Sequence, residues 1–148
     1  LEQQKEFDIA VLPLRIYADG KEYLAGVNMF SDEFYALLEN IKEFPKTSQP
    51  SPEDVMKVWD KLLEEYDEVV HIPMSSGLSG SCQTAVMLSG EDKYEGKVFV
   101  VNNQRISVTQ RQSVLDAMAL AEKGLSAKEI SNKLDIPLRT VYYILNKK

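Results

Sequence analysis

The chain has 148 residues, of which 44% are hydrophobic and 27% charged, a composition ordinary for a soluble globular domain with one main core. Its net charge of −6 excludes a nucleic-acid surface spread over the whole molecule. A lone cysteine, Cys82, excludes an internal disulfide and leaves a single thiolate for a metal; with no apolar run approaching about 18 residues and no signal peptide, a soluble cytoplasmic protein without metal or cofactor is expected.

In chain order, Ile9 to Tyr17 is rich in β-formers but interrupted by Pro13 and Arg15, and Asp19-Gly20 is a turn signal leading into Lys21 to Leu24. A strand with a short hairpin return follows from that pattern, with Pro13 favouring an edge or a bulge. Ser31 is expected to cap a helix reaching about Glu39, with Phe34, Leu37 and Leu38 on one face. Phe44 to Pro50 reads as a loop. Ser51 then caps a second helix, with Pro52 at its first position, Asp54 closing a capping box, and Val55, Val58, Trp59, Leu62 and Leu63 as its buried stripe. Glu68 to Ile72 predicts a strand, Cys82 to Leu88 a helix, Lys97 to Asn102 a strand, and Ser107 to Glu122 a helix offering Val114, Leu115, Met118 and Leu120 to the core. Strand and helix alternate from residue 51 onward, so the fold class is α/β, a mainly parallel sheet with helices on both faces.

Between the strand ending at Ile72 and the helix near Cys82 lies Met74-Ser75-Ser76-Gly77-Leu78-Ser79-Gly80-Ser81. A small-residue loop feeding a helix leaves N–H groups and hydroxyls aimed at one spot, which is how proteins hold an anionic oxygen group. The loop has neither the lysine of a P-loop nor the G-x-G-x-x-G spacing, so a small anion such as a carboxylate fits better than a polyphosphate. Ligands of an open parallel sheet sit beyond the carboxyl ends of its strands, and both this loop and Thr47-Ser48-Gln49-Pro50-Ser51 are candidates for that edge. Thr47 and Ser79 each offer a hydroxyl, while Gly77 and Gly80 let a ligand approach the backbone. The plainer alternative is a pair of helix caps and a flexible turn.

Asp8-Ile9-Ala10-Val11-Leu12-Pro13-Leu14, Lys46-Thr47-Ser48-Gln49-Pro50-Ser51-Pro52 and Ser75-Ser76-Gly77-Leu78-Ser79-Gly80-Ser81, in that order, resemble the DegV family of bacterial fatty-acid-binding proteins. The T-S-Q-P-S and S-S-G-L-S-G signatures are specific, and the similarity runs over about residues 8 to 134. The resemblance implies a long-chain fatty acid whose tail lies in an apolar tunnel and whose carboxylate is held at Thr47 and Ser79, with Ser76, Gly77 and Gly80 as further ligand-binding positions. It also implies a non-catalytic carrier that presents the acid to a partner kinase subunit. Leu78, Val86, Met87, Phe30 and Met118 are candidate tunnel residues, although apolar residues at helical spacing are more often plain core, and each is expected to be so.

Three departures from the family pattern stand out. A strand bearing an Asp-Ser pair, and a second domain that closes over the ligand, are features of the family that this sequence does not contain, so the fold is expected to be incomplete at both ends and fatty-acid binding weakened. Asn102-Asn103-Gln104-Arg105 replaces a more usual acidic, hydroxyl-bearing strand end, and Arg105 is expected in a surface salt bridge rather than at the anion. The organisation expected is a DegV-like domain over residues 1–122 and a helical tail over 123–148, either helix-turn-helix-like or a continuation of the same domain.

That tail carries the alternative function, a DNA-binding regulator acting through residues 124–145. From Glu122 to Lys148 there are six Lys or Arg against three acids, a local +3. Ser126 caps a first helix, Leu134 and Ile136 bracket a turn, and Thr140, Val141 and Leu145 fit a second, with Arg139 and Tyr143 facing a groove. Residues 140–145 read equally as a strand, and nucleic acid remains the lesser expectation. An enzyme is weaker still. Gly77-Leu78-Ser79-Gly80-Ser81 misses the G-x-S-x-G elbow at its last position. His71 reads as a satisfied strand side chain, Asp60, Glu64 and Glu65 as solvated acids, and Cys82 as a buried structural thiol.

Overall fold

The computed structural model describes residues 2–41 and 43–135, and the chain forms two compact units that divide after Val58. The first unit follows a short helix α1 (Glu2–Glu6) with an antiparallel sheet of order β2-β1-β3, built from β1 (Arg15–Ala18), β2 (Lys21–Leu24) and β3 (Lys46–Ser48). Asp19 and Gly20 both have positive φ, +52° and +70°, the geometry whose twist matches a two-residue hairpin, and Ala18 pairs with Lys21 across it. The expected strand from Ile9 is shorter at its start. Pro13 has no N–H for a ladder, and pairing begins at Leu14, whose carbonyl accepts the Ala25 N–H at 2.9 Å.

Helix α2 (Ser31–Asn40) starts one residue earlier than a Ser31 cap would place it: Phe30 is the N-cap, and the Glu33 carboxylate accepts its N–H at 2.9 Å. Helix α3 (Pro52–Leu63) begins as the sequence predicts. Ser51 Oγ accepts the Asp54 N–H at 3.1 Å and the Asp54 carboxylate accepts the Ser51 N–H at 3.3 Å, a reciprocal box that satisfies two otherwise orphaned donors. Asp54 is also the partner of Arg15, whose guanidinium bonds Glu22 on the neighbouring strand. The Arg15 hydrogen bond, followed by that of Ser51, holds the Asp54 carboxyl below its ordinary range.

In the second unit β4 (Val69–His71) and β5 (Val98–Val100) pair in parallel, joined by a crossover through α4 (Ser81–Ser89). Helices α5 (Ser107–Glu122) and α6 (Ala127–Leu134) follow, with α6 packed on α5 and both strands. The α/β class is borne out; parallel pairing begins after residue 51, as the alternation of elements predicts, and an antiparallel sheet precedes it. Trp59, Ala85, Leu88, Tyr94, Val98 and Val101 form the core. Trp59 packs edge-on to His71 at 5.5 Å and to Tyr94 at 5.1 Å, and its Nε1 donates to His71 Nδ1 at 2.9 Å. Asp60, expected as a solvated acid, instead accepts the Tyr94 hydroxyl at 2.9 Å and pairs with Lys93 at 2.6 Å.

Only Ser113 and Ala117 of α5 are fully buried; Val114, Leu115, Met118 and Leu120 are half-buried. Ser126 caps α6 as expected, accepting the Glu129 N–H at 3.4 Å while the Glu129 carboxylate accepts the Ser126 N–H at 3.0 Å. Ile136, Arg139, Thr140, Val141, Tyr143 and Leu145, on which the second helix of the helix-turn-helix reading depends, lie outside the described residues. Among the described residues no helix is long and apolar enough to cross a membrane.

Candidate functional site

The Ser/Gly loop is built on a residue absent from the expected ligand set, the buried Ser75. Its carbonyl accepts the N–H groups of both Leu78 and Ser79 at 3.0 Å, and its Oγ accepts the Gly77 N–H at 3.3 Å. Its own N–H donates to the Arg105 carbonyl at 2.9 Å, tying this loop to the one that follows β5. Both loops therefore stand at the carboxyl ends of the parallel pair, where ligands of such sheets bind. A serine two residues before a glycine is a local turn pattern, and that spacing is the signal the sequence offers for Ser75.

Ser79 sits where the loop turns into α4. Its Oγ accepts the Ser81 N–H at 3.2 Å, which fixes the oxygen and leaves the hydroxyl proton to be donated elsewhere. Gly80 is the N-cap of α4 and has no side chain to cap with, so beyond the Ser81 N–H that Ser79 takes, the N-cap itself offers the first turn no side-chain acceptor. Hydroxyl donor and open helix terminus together favour negative charge. Ser76 is half-buried and uses its carbonyl to accept Gln83 Nε2 at 3.4 Å. Gly77 and Gly80 are exposed and neither has a positive φ. A Cβ at Gly77 would meet only Ser75 Oγ, at 3.6 Å, so the backbone does not demand glycine there.

Thr47 belongs to the first unit and is described there alone. The loop expected around it is strand β3 at that point, antiparallel to β1, with Thr47 exposed opposite Ile16. β-Branched Thr47 suits the extended backbone, and Pro50 ends the run. Ser76, Gly77, Ser79 and Gly80 share one loop; Thr47 lies on a different element.

The apolar candidates divide as well. Leu78, Val86, Met87 and Phe30 are 67%, 53%, 65% and 49% exposed, which overturns the plain-core alternative for these four, and Met118 is half-buried. Arg105 makes a surface salt bridge only loosely, at 4.0 Å from Asp116; its closer partner is the buried Ser113 Oγ, at 3.0 Å. His71 is satisfied, as expected: its Nδ1 is taken by Trp59, and burial pushes its pKa down to about 4. Burial raises the Cys82 thiol, with Asp135 adding to the effect, which is the behaviour of an unreactive buried cysteine. Among the described residues no three His, Cys, Asp or Glu side chains gather as metal ligands. The arrangement is therefore suited to holding a small anion by hydrogen bonds.

The profile of the DegV family, described as an uncharacterised protein, matches residues 1–142. A DegV domain-containing protein of Caldanaerobacter subterraneus is 36% identical over 126 residues, 85% of this chain and 44% of that protein. The chain thus spans less than half the length of that relative. Among solved structures, a fatty-acid-binding DegV family protein of Thermus thermophilus is similar at a TM-score of 0.78 and 33% identity, covering 90% of this chain and 47% of the other. A stearic-acid-binding protein of Eubacterium ventriosum is similar at 0.78 and 30% identity, with the same coverages of 90% and 47%.

Proposed function

The chain belongs to the DegV family, and from that premise we propose that it binds a long-chain fatty acid by its carboxylate, with Ser79 as the principal donor. The observation that carries this reading is the Ser79 hydroxyl: its oxygen is held by the Ser81 N–H, and its proton remains available beside the start of α4, whose N-cap Gly80 has no side chain. A desolvated carboxylate is costly unless hydrogen bonds replace its water, and a hydroxyl with helix N–H groups does this without adding a charge. Ser76, Gly77 and Gly80 flank Ser79 in the same loop and belong to the proposed head-group site, and Thr47 is carried into the proposal as a second hydroxyl by the family resemblance alone. Support for Thr47 comes from the T-S-Q-P-S signature it belongs to.

The exposed Leu78, within the head-group loop, and Val86 and Met87, on α4 after it, leave apolar surface for an acyl tail. Each methylene withdrawn from water contributes about 0.8 kcal/mol, so the tail dominates affinity while the carboxylate fixes orientation. The protein acts as a carrier, the fatty acid being presented to a partner kinase subunit that performs the chemistry. His71 supports this, because the nitrogen that would serve a serine nucleophile as base is occupied by Trp59.

Native mass spectrometry with oleate or stearate tests the reading. One acyl chain per protein is expected, and Ser79→Ala, which removes a hydrogen bond to a charged group, should weaken binding by about tenfold or more. Equal binding by Ser79→Ala and the unaltered protein would refute the carboxylate contact, and turnover of an ester substrate would refute the carrier role.

A further inference from the structure

We propose that Asn103 is a positioning residue that holds the Ser/Gly loop in its anion-receiving shape, acting through the backbone of Arg105; the inference rests on the carboxylate reading of that loop. Asn103 lies just beyond β5 and is 2% exposed. Its Oδ1 accepts the Arg105 N–H at 3.0 Å. The Arg105 carbonyl accepts the Ser75 N–H at 2.9 Å, and the Ser75 carbonyl accepts the Leu78 and Ser79 N–H groups at 3.0 Å. A single run of hydrogen bonds therefore leads from a buried side chain to the residue whose hydroxyl meets the ligand.

The β5–α5 loop needs such a hold. Gln104 and Ser107 have φ of +53° and +55°, a left-handed backbone that residues with a Cβ adopt at a cost. Asn103 Oδ1 spans the first of these, receiving the N–H on the far side of Gln104. Arg105 Nη1 on Ser113 Oγ and Gln110 Nε2 on the Ile72 carbonyl, each 3.0 Å, tie the same loop to α5 and α5 to the end of β4. With all three contacts made, the Arg105 carbonyl faces Ser75 in one fixed direction. Asn103 Nδ2 is buried and without a partner among the described residues, so the amide is working through its oxygen. An aspartate would keep that acceptor; a leucine of similar size would not.

Backbone amide exchange, followed by NMR on the whole 148-residue chain, tests this. In Asn103→Leu the Ser75, Leu78 and Ser79 amides should exchange about fivefold faster, the loss of one net hydrogen bond, while the ladder amides of Val69 and Val101 keep their protection. Unchanged exchange at Ser75 and Ser79, or an equal rise at Val69 and Val101, would overturn the proposal. Asn103→Asp keeps the fold testable if the leucine variant does not fold. Its Ser75 and Arg105 amide resonances should follow the titration of the introduced carboxyl together, and a Ser75 resonance that stays flat while Arg105 moves would overturn the proposal. Oleate binding separates the two ideas. Should the unaltered chain bind no oleate while Asn103→Leu still loosens the loop, the carboxylate reading falls and the positioning role stands; should oleate bind while that variant leaves the loop unchanged, the reverse holds.

Discussion

Gly77 illustrates how a single position separates ligand access from backbone need. Its φ is not positive, and a methyl group would find only Ser75 Oγ at 3.6 Å, an ordinary contact. Gly77→Ala should therefore leave the melting temperature within a few degrees of the original, about 0.5 kcal/mol or less in stability, yet weaken fatty-acid binding by placing a methyl group on the exposed side of the loop. Thermal melts and a binding titration on one sample check both halves, and unimpaired binding would show that the ligand does not pass there. His71 makes a different prediction. Its folded pKa is depressed to about 4 from 6.5 by burial, so between those values the unfolded chain binds the extra proton and stability rises with pH. Acidification from pH 6.5 to 4 should cost on the order of 3 kcal/mol through this one group, and His71→Gln, whose amide oxygen offers Trp59 an acceptor that does not titrate, should flatten the response in that window. Denaturant midpoints at pH 7 and 4.5 measure the difference; the Asp54 and Asp60 contributions are lost at lower pH, because their carboxyls are held below the ordinary range by Arg15 and by Lys93.

At the scale of elements, sequence and structure agree where a local interaction decides the outcome and part where a distant one does. Ser51-Pro52-Glu53-Asp54 starts α3 because the capping box is complete within four residues, and Ser51→Ala should cost about 1 kcal/mol, read from the denaturant midpoint without change in the slope. Asp19-Gly20 closes its hairpin for the same local reason, both φ values being positive. Residues 46–48 form a strand through pairing with β1, some thirty residues earlier, and nothing in Lys46-Thr47-Ser48 taken alone distinguishes that from a loop. The Ser/Gly loop shows the same division inside one site. Ser79 and Gly77 are legible as small residues ahead of a helix; Ser75 shows only a local turn pattern, and Asn103 and Arg105 become partners of the loop only once β4 and β5 lie side by side. Leu78, Val86 and Met87 have the spacing and composition of core residues, and burial alone, which depends on what covers α4, decides otherwise.

For the molecule as a whole, a net charge of −6 means that a fatty-acid anion approaches against the long-range field. Attraction must then come from short-range hydrogen bonds at the head group and from the tail, and the two respond differently to ligand length. Were a tail fully enclosed, two more methylenes would add about 1.6 kcal/mol and tighten binding about fifteenfold. Leu78, Val86 and Met87 are exposed, and a chain lying on exposed apolar surface rather than inside an enclosure loses water from about half its own surface. The series from twelve to fourteen to sixteen carbons should therefore tighten by about fourfold per pair of methylenes, with little dependence on salt because the head-group contacts are short and largely neutral on the protein side. Isothermal titration across the three acids at low and moderate ionic strength measures both slopes. A series flat in chain length would remove the exposed Leu78, Val86 and Met87 as the place of the tail, and a strong salt dependence would mean that charge rather than the Ser79 hydroxyl holds the carboxylate.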